Sequence, residues 1–172
     1  MVAGGGRQLA RASVWGGEKT GPSPVDRSRS GSKHHLIACG HGTPLAATLT
    51  GANRNDVSEL IPLVDAIPPV RGRLGRPRRR PRTLLGDRGY DSGQKRTALR
   101  ARHIQAKIAA RKSEHGSGLG RERWVVERSL SWLHQYRRLR IRYERRADIH
   151  EAFLAIGCSL ICLKLLQPSN SL

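Results

Sequence analysis

An acid directly behind a short apolar run is the feature that most constrains how this chain can fold. Residues 83–85 read Thr-Leu-Leu, and a short apolar run bounded by glycine is typical of a buried β-strand. Asp87 follows within the motif Gly86–Asp91, whose letters are Gly-Asp-Arg-Gly-Tyr-Asp. The sequence therefore predicts a buried strand that presents a carboxylate at its carboxyl end.

A second carboxylate, Glu127, lies on a predicted helix from about Arg121 to Arg138. At roughly 100° per residue, six apolar side chains of this segment gather on one side and should face the core: Val125, Val126, Leu130, Trp132, Leu133 and Tyr136. Four polar side chains fall within about 60° of one another: Arg123, Glu127, His134 and Arg138. This polar group could hold a metal ion beside phosphates. It could equally be a salt-bridged surface, since Arg123 and Glu127 are four positions apart.

The charge balance points to a polyanionic partner. The chain has 32 Lys and Arg residues against 13 Asp and Glu residues, which gives a formal net charge of +19. Such a balance favours nucleic acid, because each phosphate that a cation neutralises releases a condensed counterion. A merely soluble, overcharged domain is the alternative. Aromatic residues make up only 4% of the chain, which argues against a platform that stacks single-stranded bases.

Two arginine-rich segments are candidate phosphate-binding sites. In residues 71–82 the arginines alternate with glycine and proline, which predicts an exposed loop. Arg78, Arg79 and Arg80 are its candidate DNA contacts, and a solvated basic loop is the alternative. The second segment could follow a DNA backbone, or be a generic solvated face, and contains six arginines: Arg137, Arg138, Arg140, Arg142, Arg145 and Arg146.

Lys33, His34 and His35 stand in a predicted strand over residues 33–39. A second strand over residues 44–50 should pair with it, because a short glycine-containing turn separates the two. Lys33 is a further candidate DNA contact. For the two histidines, a structural or phosphate-facing role is favoured over metal ligation, since no partner ligands have suitable spacing.

The remaining segments give a coarse organisation. Residues 1–24 are rich in Gly and Ser without a clear period and are predicted to be poorly ordered. Residues 25–166 are predicted to form one domain, and residues 167–172 a tail. Within the domain, three further elements are expected: a helix over 57–67 capped by Asn55 or Asp56, a helix from Asp91 or Ser92 to about Arg102, and a strand over 104–110.

The sequence predicts a cytoplasmic protein without a membrane partner. Residues 1–17 have no uninterrupted apolar core of the secretory type. The three cysteines lack paired metal-type spacing, and Cys158 and Cys162 are expected to be buried free thiols. The apolar run Ala152–Leu166 is shorter than the about 20 residues that a bilayer requires, so a buried terminal helix is expected.

Six motifs in a fixed order resemble those of bacterial insertion-sequence transposases of the DDE type. The nearest resemblance is to the branch named after insertion sequence five, and it covers about residues 20–166. The motifs are Thr20–Arg27, Gly31–Leu36, Thr50–Val57, Gly86–Asp91, Arg123–Arg128 and Arg145–His150. Any one of them alone would be a weak signal, whereas six in the same order are specific.

The resemblance implies an α/β fold, with a ribonuclease-H-like mixed sheet and flanking helices. It also implies a catalytic triad of two aspartates and one glutamate, in which Asp87 is the second aspartate and Glu127 the glutamate. Arg123 matches the arginine of the family's glutamate motif. By resemblance, the cofactor is Mg²⁺ or Mn²⁺, two ions being held by carboxylates because such cations prefer hard oxygen ligands. The implied partner is double-stranded DNA, at insertion-sequence ends and at the target, with a possible homo-oligomer on DNA.

One departure from the family pattern changes the functional expectation. The first aspartate of the family lies shortly before the Gly-Pro-Ser-Pro motif, and the corresponding stretch here, residues 10–19, contains none. Glu18 is its only acid, in a glycine-flanked segment. We therefore expect the sheet to lack its opening strand, and the chain to match the C-terminal part of a transposase that binds DNA without cutting it. The alternative is a non-enzymatic nucleic-acid-binding remnant, or a regulator that competes for DNA ends.

Overall fold

The computed structural model describes residues 2–5, 10–71, 75–109 and 120–167, and for residues 2–5, 10 and 120–123 it describes the backbone only. The strands are β1 (Val2–Gly5), β2 (Ala10–Ala12), β3 (Gly21–Pro22), β4 (Ser30–Ala38), β5 (Pro44–Gly51), β6 (Thr83–Gly86) and β7 (Gln105–Ile108). The helices are α1 (Leu60–Asp65), α2 (Gly93–Ala101), α3 (Gly120–Leu133), α4 (Arg137–Arg140) and α5 (Ala147–Leu166).

The strands form one mixed sheet. Its main path runs β2-β4-β1-β6-β7, and β3 and β5 also pair with β4. β1 is antiparallel to β4 and parallel to β6, and β6 is parallel to β7. The α/β fold with a mixed sheet and flanking helices that the sequence predicts is therefore present.

The structure corrects the expectation that the sheet lacks its opening strand. β1 occupies the central position, between β4 and β6. Strands β1, β2 and β3 also fall within residues 1–24, the segment predicted to be poorly ordered. Sequence reasoning missed β1 because its letters are Val-Ala-Gly-Gly, and glycine has low strand propensity. Hydrogen bonds from two neighbouring strands hold it instead.

The predicted hairpin is confirmed as β4 and β5, which are antiparallel over residues 32–51. Its turn is closed by hydrogen bonds from Cys39 N to Thr43 O and from Gly42 N to Cys39 O, both 2.9 Å. Gly42 has φ of +92°, a conformation that glycine adopts at little cost. β4 is the longest strand of the sheet, and it separates two hydrophobic cores because its side chains alternate between the faces.

On one face of β4, Ile37 packs against α1 and α2; on the other, Leu36 and Ala38 pack against α3 and α5. The first core contains Ile37, Leu60, Leu63, Val64, Ile67, Leu84, Tyr90, Leu99, Ile104 and Ile108. The second contains Leu36, Ala38, Val126, Leu130, Leu133, Leu139, Leu154 and Ile161. The sheet is therefore covered by helices on both faces, and α3 belongs to the second layer.

Two helices differ in their bounds from the prediction. The expected helix over 57–67 consists of a 3-10 turn, Asp56–Glu59, followed by α1, and the Asn55 side chain accepts a hydrogen bond from Val57 N at 3.3 Å as predicted for a cap. The helix predicted to reach Arg138 ends at Leu133, and the short helix α4 follows. The polar face predicted for 123–138 therefore does not continue past Leu133.

The C-terminal helix is longer and more exposed than expected. α5 begins at Ala147 rather than Ala152, and the fully buried His150 belongs to its inward face. Its 20 residues, with mean hydropathy 1.8 over an 18-residue window, are long and apolar enough to cross a membrane, and 22% of that window is buried. The expectation that this run is too short to span a bilayer is thus wrong, although length and composition alone are weak evidence for a membrane segment.

Candidate active site

Asp87 stands where the central strands of the sheet end. In the parallel register, Gly86 pairs with Gly5 of β1 and with Ile108 of β7. Asp87 follows Gly86 and is half-buried. One oxygen, Oδ1, accepts a hydrogen bond of 2.7 Å from Arg88 N, which caps the 3-10 turn Arg88–Tyr90. The predicted strand with an acid at its carboxyl end is therefore confirmed.

The turn that follows the acid is fixed to its surroundings at two points. Tyr90 is 2% exposed and belongs to the first core. Asp91 accepts a hydrogen bond of 2.8 Å from Arg96 Nε, and the same guanidinium donates to Ile108 O at 2.7 Å through Nη2. Asp91 is therefore an ion-pair partner of Arg96, whereas Ser92 is the N-cap residue of α2. Together these contacts hold the Asp87 turn against the end of β7.

Glu127 lies on α3, which packs across β1, β4 and β6. Val126 and Leu130 of this helix face Leu36 and Ala38, so Glu127 is exposed to solvent. Both family carboxylates thus lie on elements that pack against the central strands. Among the described residues, no group of three or more His, Cys, Asp or Glu side chains could hold a metal ion.

The central strand β1 contributes no acidic side chain near Asp87. β1 reads Val-Ala-Gly-Gly, and residues 1–17 contain neither Asp nor Glu. The first aspartate was expected within residues 10–19, but the register places the end of β1, Gly5, beside Gly86. In the sequence Gly5 is followed by Gly6, at the position where Gly86 is followed by Asp87.

Glu18 is too distant to replace the missing acid. It precedes Lys19, whose carbonyl oxygen accepts a hydrogen bond of 2.8 Å from Ser32 Oγ near the start of β4. Gly5, by contrast, pairs with Ile37. Ile37 lies five positions after Ser32 on β4, which is about 17 Å along a strand. Glu18 thus lies near the opposite end of β4 from Asp87.

Arg128 fixes the orientation of the helix that bears Glu127. Its guanidinium lies 4.6 Å from the ring centroid of Trp124 and 4.8 Å from that of Trp132, and it donates to His41 O at 2.8 Å. Ser129 Oγ donates to Gly42 O at 2.9 Å. These contacts attach α3 to the β4–β5 turn. Sequence reasoning overlooked Arg128, although a Trp four positions away on each side is a spacing that brings side chains together on a helix.

The loop with Arg78, Arg79 and Arg80 is exposed, as predicted. Arg78 exchanges two backbone hydrogen bonds of 2.9 Å with Val70. The loop precedes β6, whereas Asp87 follows it. β6 has four residues and is about 13 Å long, and the loop and the acid lie beyond its two opposite ends. These arginines therefore lie at the other end of the strand from Asp87.

Two residues predicted to contact DNA, Lys33 and His134, already bind partners within the protein. Lys33 Nζ lies 2.9 Å from Asp56 Oδ1 and donates to Arg54 O at 2.8 Å, and its side chain is 13% exposed. His134 follows the end of α3, is half-buried and forms a hydrogen bond with Arg11. These contacts favour structural roles for both residues. The side chain of Arg123, the third candidate beside Glu127, lies outside the described side chains.

The arginines near α4 divide into exposed and buried members. Arg137 and Arg140 are exposed, and Arg138 is 57% exposed while it pairs with Glu144 at 3.0 Å. Arg142 is fully buried, and its guanidinium donates to Ser32 Oγ at 2.8 Å. Arg142 therefore fits neither the predicted contact with a DNA backbone nor the alternative of a solvated face. Its hydrogen bonds within the protein offset the cost of burying its charge.

Histidines form a buried polar cluster beside the first half of β4. His34 Nε2 lies 2.9 Å from His150 Nε2, and His150 Nδ1 lies 3.0 Å from Glu144 Oε2. His35 Nε2 lies 2.7 Å from Thr50 Oγ1 on the other face of the sheet. Burial lowers the pKa of His34 well below its usual value, and it lowers the pKa of His35 and of His134 to about 4, with Arg11 adding to the effect at His134.

These depressed pKa values predict a loss of stability in weak acid. The histidines are neutral in the folded protein, while an unfolded histidine binds a proton below about pH 6.5. The stabilisation is therefore complete above about pH 6.5 and decreases as the pH falls towards 4. We expect the urea midpoint of unfolding to decrease steadily from about pH 7 to pH 5, and His35→Gln to flatten the decrease. A midpoint that stays constant over this range would contradict the prediction.

Comparison with known proteins agrees with these observations. A family described as "Transposase DDE domain" matches residues 9–162. The putative transposase for insertion sequence element IS402 of Burkholderia cepacia is 63% identical over 156 residues, which cover 91% of this chain and 74% of that protein. The transposase for insertion sequence element IS1106 of Neisseria meningitidis serogroup B is 26% identical over 154 residues, or 83% of this chain and 48% of that protein.

A solved structure has the same fold. It is the cryo-electron-microscopy structure of a simian T-cell lymphotropic virus intasome in complex with PP2A regulatory subunit B56 gamma, with a TM-score of 0.53 and 13% identity. The match covers 93% of this chain and 47% of that one, and it concerns the fold alone. It fits the ribonuclease-H-like sheet seen here. Assignment to the branch named after insertion sequence five stays a prediction, whereas the family itself is shown: this chain is a bacterial insertion-sequence transposase of the DDE family.

Proposed function

We propose that this chain binds the DNA of insertion-sequence ends through its exposed arginines, and that it does not cleave DNA by itself. Proteins of the DDE family are nucleic-acid-cleaving enzymes that use divalent metal ions. The proposal rests mainly on the central strand β1, which ends beside Gly86 and contains no carboxylate. Two carboxylates leave a pair of divalent cations poorly neutralised.

Asp87 and Glu127 are the residues that would hold Mg²⁺ or Mn²⁺. Their donor chemistry fits these ions, since both offer hard carboxylate oxygens on elements that pack against β1 and β6. When bound, such ions activate a water or a 3′-hydroxyl and stabilise the leaving oxygen. The chain's own contribution is to fix Asp87 through Arg88 N and to fix α3, which bears Glu127, through Arg128.

Exposed cations supply the proposed DNA surface. They are Arg78, Arg79 and Arg80 in the loop before β6, and Arg137 and Arg138 on α4. Arg123 is added on the strength of its motif. Lys33 and His134 have contacts within the protein that favour a structural role over phosphate binding. The net charge of +19 supports binding to double-stranded DNA. Cytoplasmic localisation, and more than one copy of the chain on the DNA, are proposed from the family alone.

Cleavage and binding assays on the same duplex test the proposal. We expect the chain to bind an insertion-sequence end in the presence of Ca²⁺, and to leave the duplex intact in Mg²⁺ or Mn²⁺. If the unmodified chain cleaves the duplex and Asp87→Ala abolishes that cleavage, the proposal that the chain does not cleave DNA is refuted. Failure to bind duplex DNA at about 50 mM salt would refute the binding role.

The salt dependence of binding separates phosphate contacts from structural cations. Arg137→Ala should lower the slope of log K against log salt by about one, because one phosphate contact is lost. The matched control is Lys33→Ala, which removes a cation already paired with Asp56 and should leave the slope unchanged. Fluorescence anisotropy with a labelled duplex at several salt concentrations measures both slopes. Equal slopes for the Arg137 variant and the unmodified chain would remove this residue from the proposed surface.

The absence of an acid in β1 also suggests a second candidate function. A chain that binds ends without cutting them could act as a regulator that competes with active transposase, or it could be a remnant without a task. Preference for end sequences over unrelated duplex would favour the regulator. Equal binding to both would favour the remnant.

A further inference from the structure

The outer face of α5 carries an apolar stripe with the spacing of a helix-pairing seam. The stripe is defined by residues three and four positions apart in alternation: Ile149, Ala152, Ile156, Ser159, Leu163 and Leu166. All six are exposed, with Ile156 at 55%, Leu163 at 54% and Leu166 at 80%. Alternating steps of three and four keep one seam facing a partner helix.

The apolar character of this stripe is not explained by packing against the hydrophobic core. The inward face of α5 is a different set of residues, which are buried: His150, Leu154, Gly157 and Ile161. An ordinary surface helix of a soluble protein is polar on the side opposite its core. In the stripe of α5, Ser159 is the single polar member. The helix is therefore apolar on both sides, and its outer side requires another explanation.

A groove continues the stripe towards the edge of the sheet. It encloses about 1260 Å³ between α5 and β5, and the stripe residues Ser159, Leu163 and Leu166 form part of its wall. β5 pairs with β4 alone among the described strands, so its other edge has no strand partner in this part of the chain. An apolar helix and an uncovered strand edge thus lie side by side.

We propose that the stripe is the interface with a second copy of this chain, in which two α5 helices pair antiparallel about a two-fold axis. The axis passes between Ile156 and Ser159. Three facing pairs result: Ile149 with Leu166, Ala152 with Leu163, and Ile156 with Ser159, each repeated by symmetry. In the two inner pairs a large side chain meets a small one, so the stripe is complementary to itself, as a two-fold interface demands.

The exposed area reaches the size that a specific interface needs. Five exposed apolar side chains contribute most of it, four from the stripe and Leu160 beside it; the four are Ile149, Ile156, Leu163 and Leu166. At about 200 Å² for a fully accessible Ile or Leu, their exposed fractions amount to roughly 500 Å² per copy. A pair would bury about 1,000 Å², which is the lower bound for a specific interface, before the groove is counted.

Net charge predicts how the pair should respond to salt. Two copies that each carry +19 repel one another, and salt screens this repulsion. The proposed contact is apolar and is not weakened by screening. Association should therefore become stronger with salt, which is the opposite of the behaviour of DNA binding.

The oligomeric state of the DNA-free chain tests the proposal. In sedimentation velocity at about 0.5 M salt, we expect twice the monomer mass of 19.0 kDa. The double variant Ile156→Asp/Leu163→Asp should sediment as a monomer, while the control Val25→Asp, at a residue 78% exposed and far along the chain from α5, should not change the mass. A monomeric unmodified chain, or a variant that remains dimeric with an unchanged circular dichroism spectrum, would overturn the proposal.

Cross-linking tests the antiparallel arrangement, and vesicles test the main competing occupant. In a chain whose three native cysteines are replaced by serine, Ile156→Cys/Ser159→Cys should form a disulfide-linked dimer. Ala152→Cys alone should not, because residue 152 lies about 8 Å along the helix from the proposed axis, so its two copies are about 16 Å apart. Equal cross-linking of both variants would overturn the two-fold arrangement. Flotation of the chain with neutral phosphatidylcholine vesicles, together with a monomer in their absence, would assign the stripe to a lipid surface and overturn the second-copy proposal.

Discussion

Gly6→Asp is expected to restore metal-dependent cleavage to this chain. Gly6 follows Gly5 in the sequence just as Asp87 follows Gly86, and Gly5 and Gly86 pair in the parallel register. An aspartate there would supply a third carboxylate and neutralise the charge of bound cations more fully. We expect Mg²⁺-dependent nicking of an insertion-sequence end to rise by about 10³-fold over the unmodified chain, since a complete metal site contributes several kcal/mol to transition-state stabilisation.

Two control variants make this result specific. Gly6→Asn has nearly the same shape without the charge and should stay inactive. Gly6→Asp combined with Asp87→Ala should lose the restored activity, because one carboxylate is removed as another is added. Restored nicking that persists without Asp87 would show that the site lies elsewhere, and an inactive Gly6→Asp variant that still binds DNA would show that more than one acid is missing.

Arg142→Ala is expected to destabilise the fold by about 3–5 kcal/mol, because a buried, hydrogen-bonded charge is lost and its acceptors stay buried. Its guanidinium donates to Glu144 O at 2.8 Å, Arg145 O at 3.1 Å and Ser32 Oγ at 2.8 Å. It thereby joins the start of β4 to the segment before α5. Urea unfolding followed by circular dichroism measures the effect.

The matched control is Arg140→Ala, two positions earlier and exposed to solvent. Its effect on the free energy of unfolding should stay within about 0.5 kcal/mol. Arg142→Lys should lie between the two, because an ammonium group cannot reach acceptors in as many directions as a guanidinium. An Arg142→Ala variant as stable as Arg140→Ala would show that water replaces the guanidinium without loss.

Local patterns predicted the parts of the fold that depend on neighbours in sequence. The glycine turn predicted the β4–β5 hairpin, the apolar run before Gly86 predicted the strand that ends at Asp87, and Asn55 was recognised as a cap. Each of these depends on residues a few positions apart. Helical spacing also placed Val126 and Leu130 correctly in the core.

Features that depend on distant residues were not predictable in the same way. β1 is held by β4 and β6, although its own glycines favour no strand. Lys33 was interpreted as a DNA contact because Asp56, its partner, is 23 positions away. Arg142 looks like one more arginine in a basic run, and its burial depends on Ser32, 110 positions away.

The opposite placement of Asp87 and the Arg78–Arg80 loop at the two ends of β6 has a consequence for the length of DNA that the chain covers. A duplex lying along β6 would advance about four base pairs over the roughly 13 Å length of the strand, at about 3.4 Å per base pair. The arginines would then contact phosphates at least about four base pairs from the bond that faces Asp87. Footprinting should therefore show a protected phosphate cluster set back from the element's terminal nucleotide, rather than centred on it.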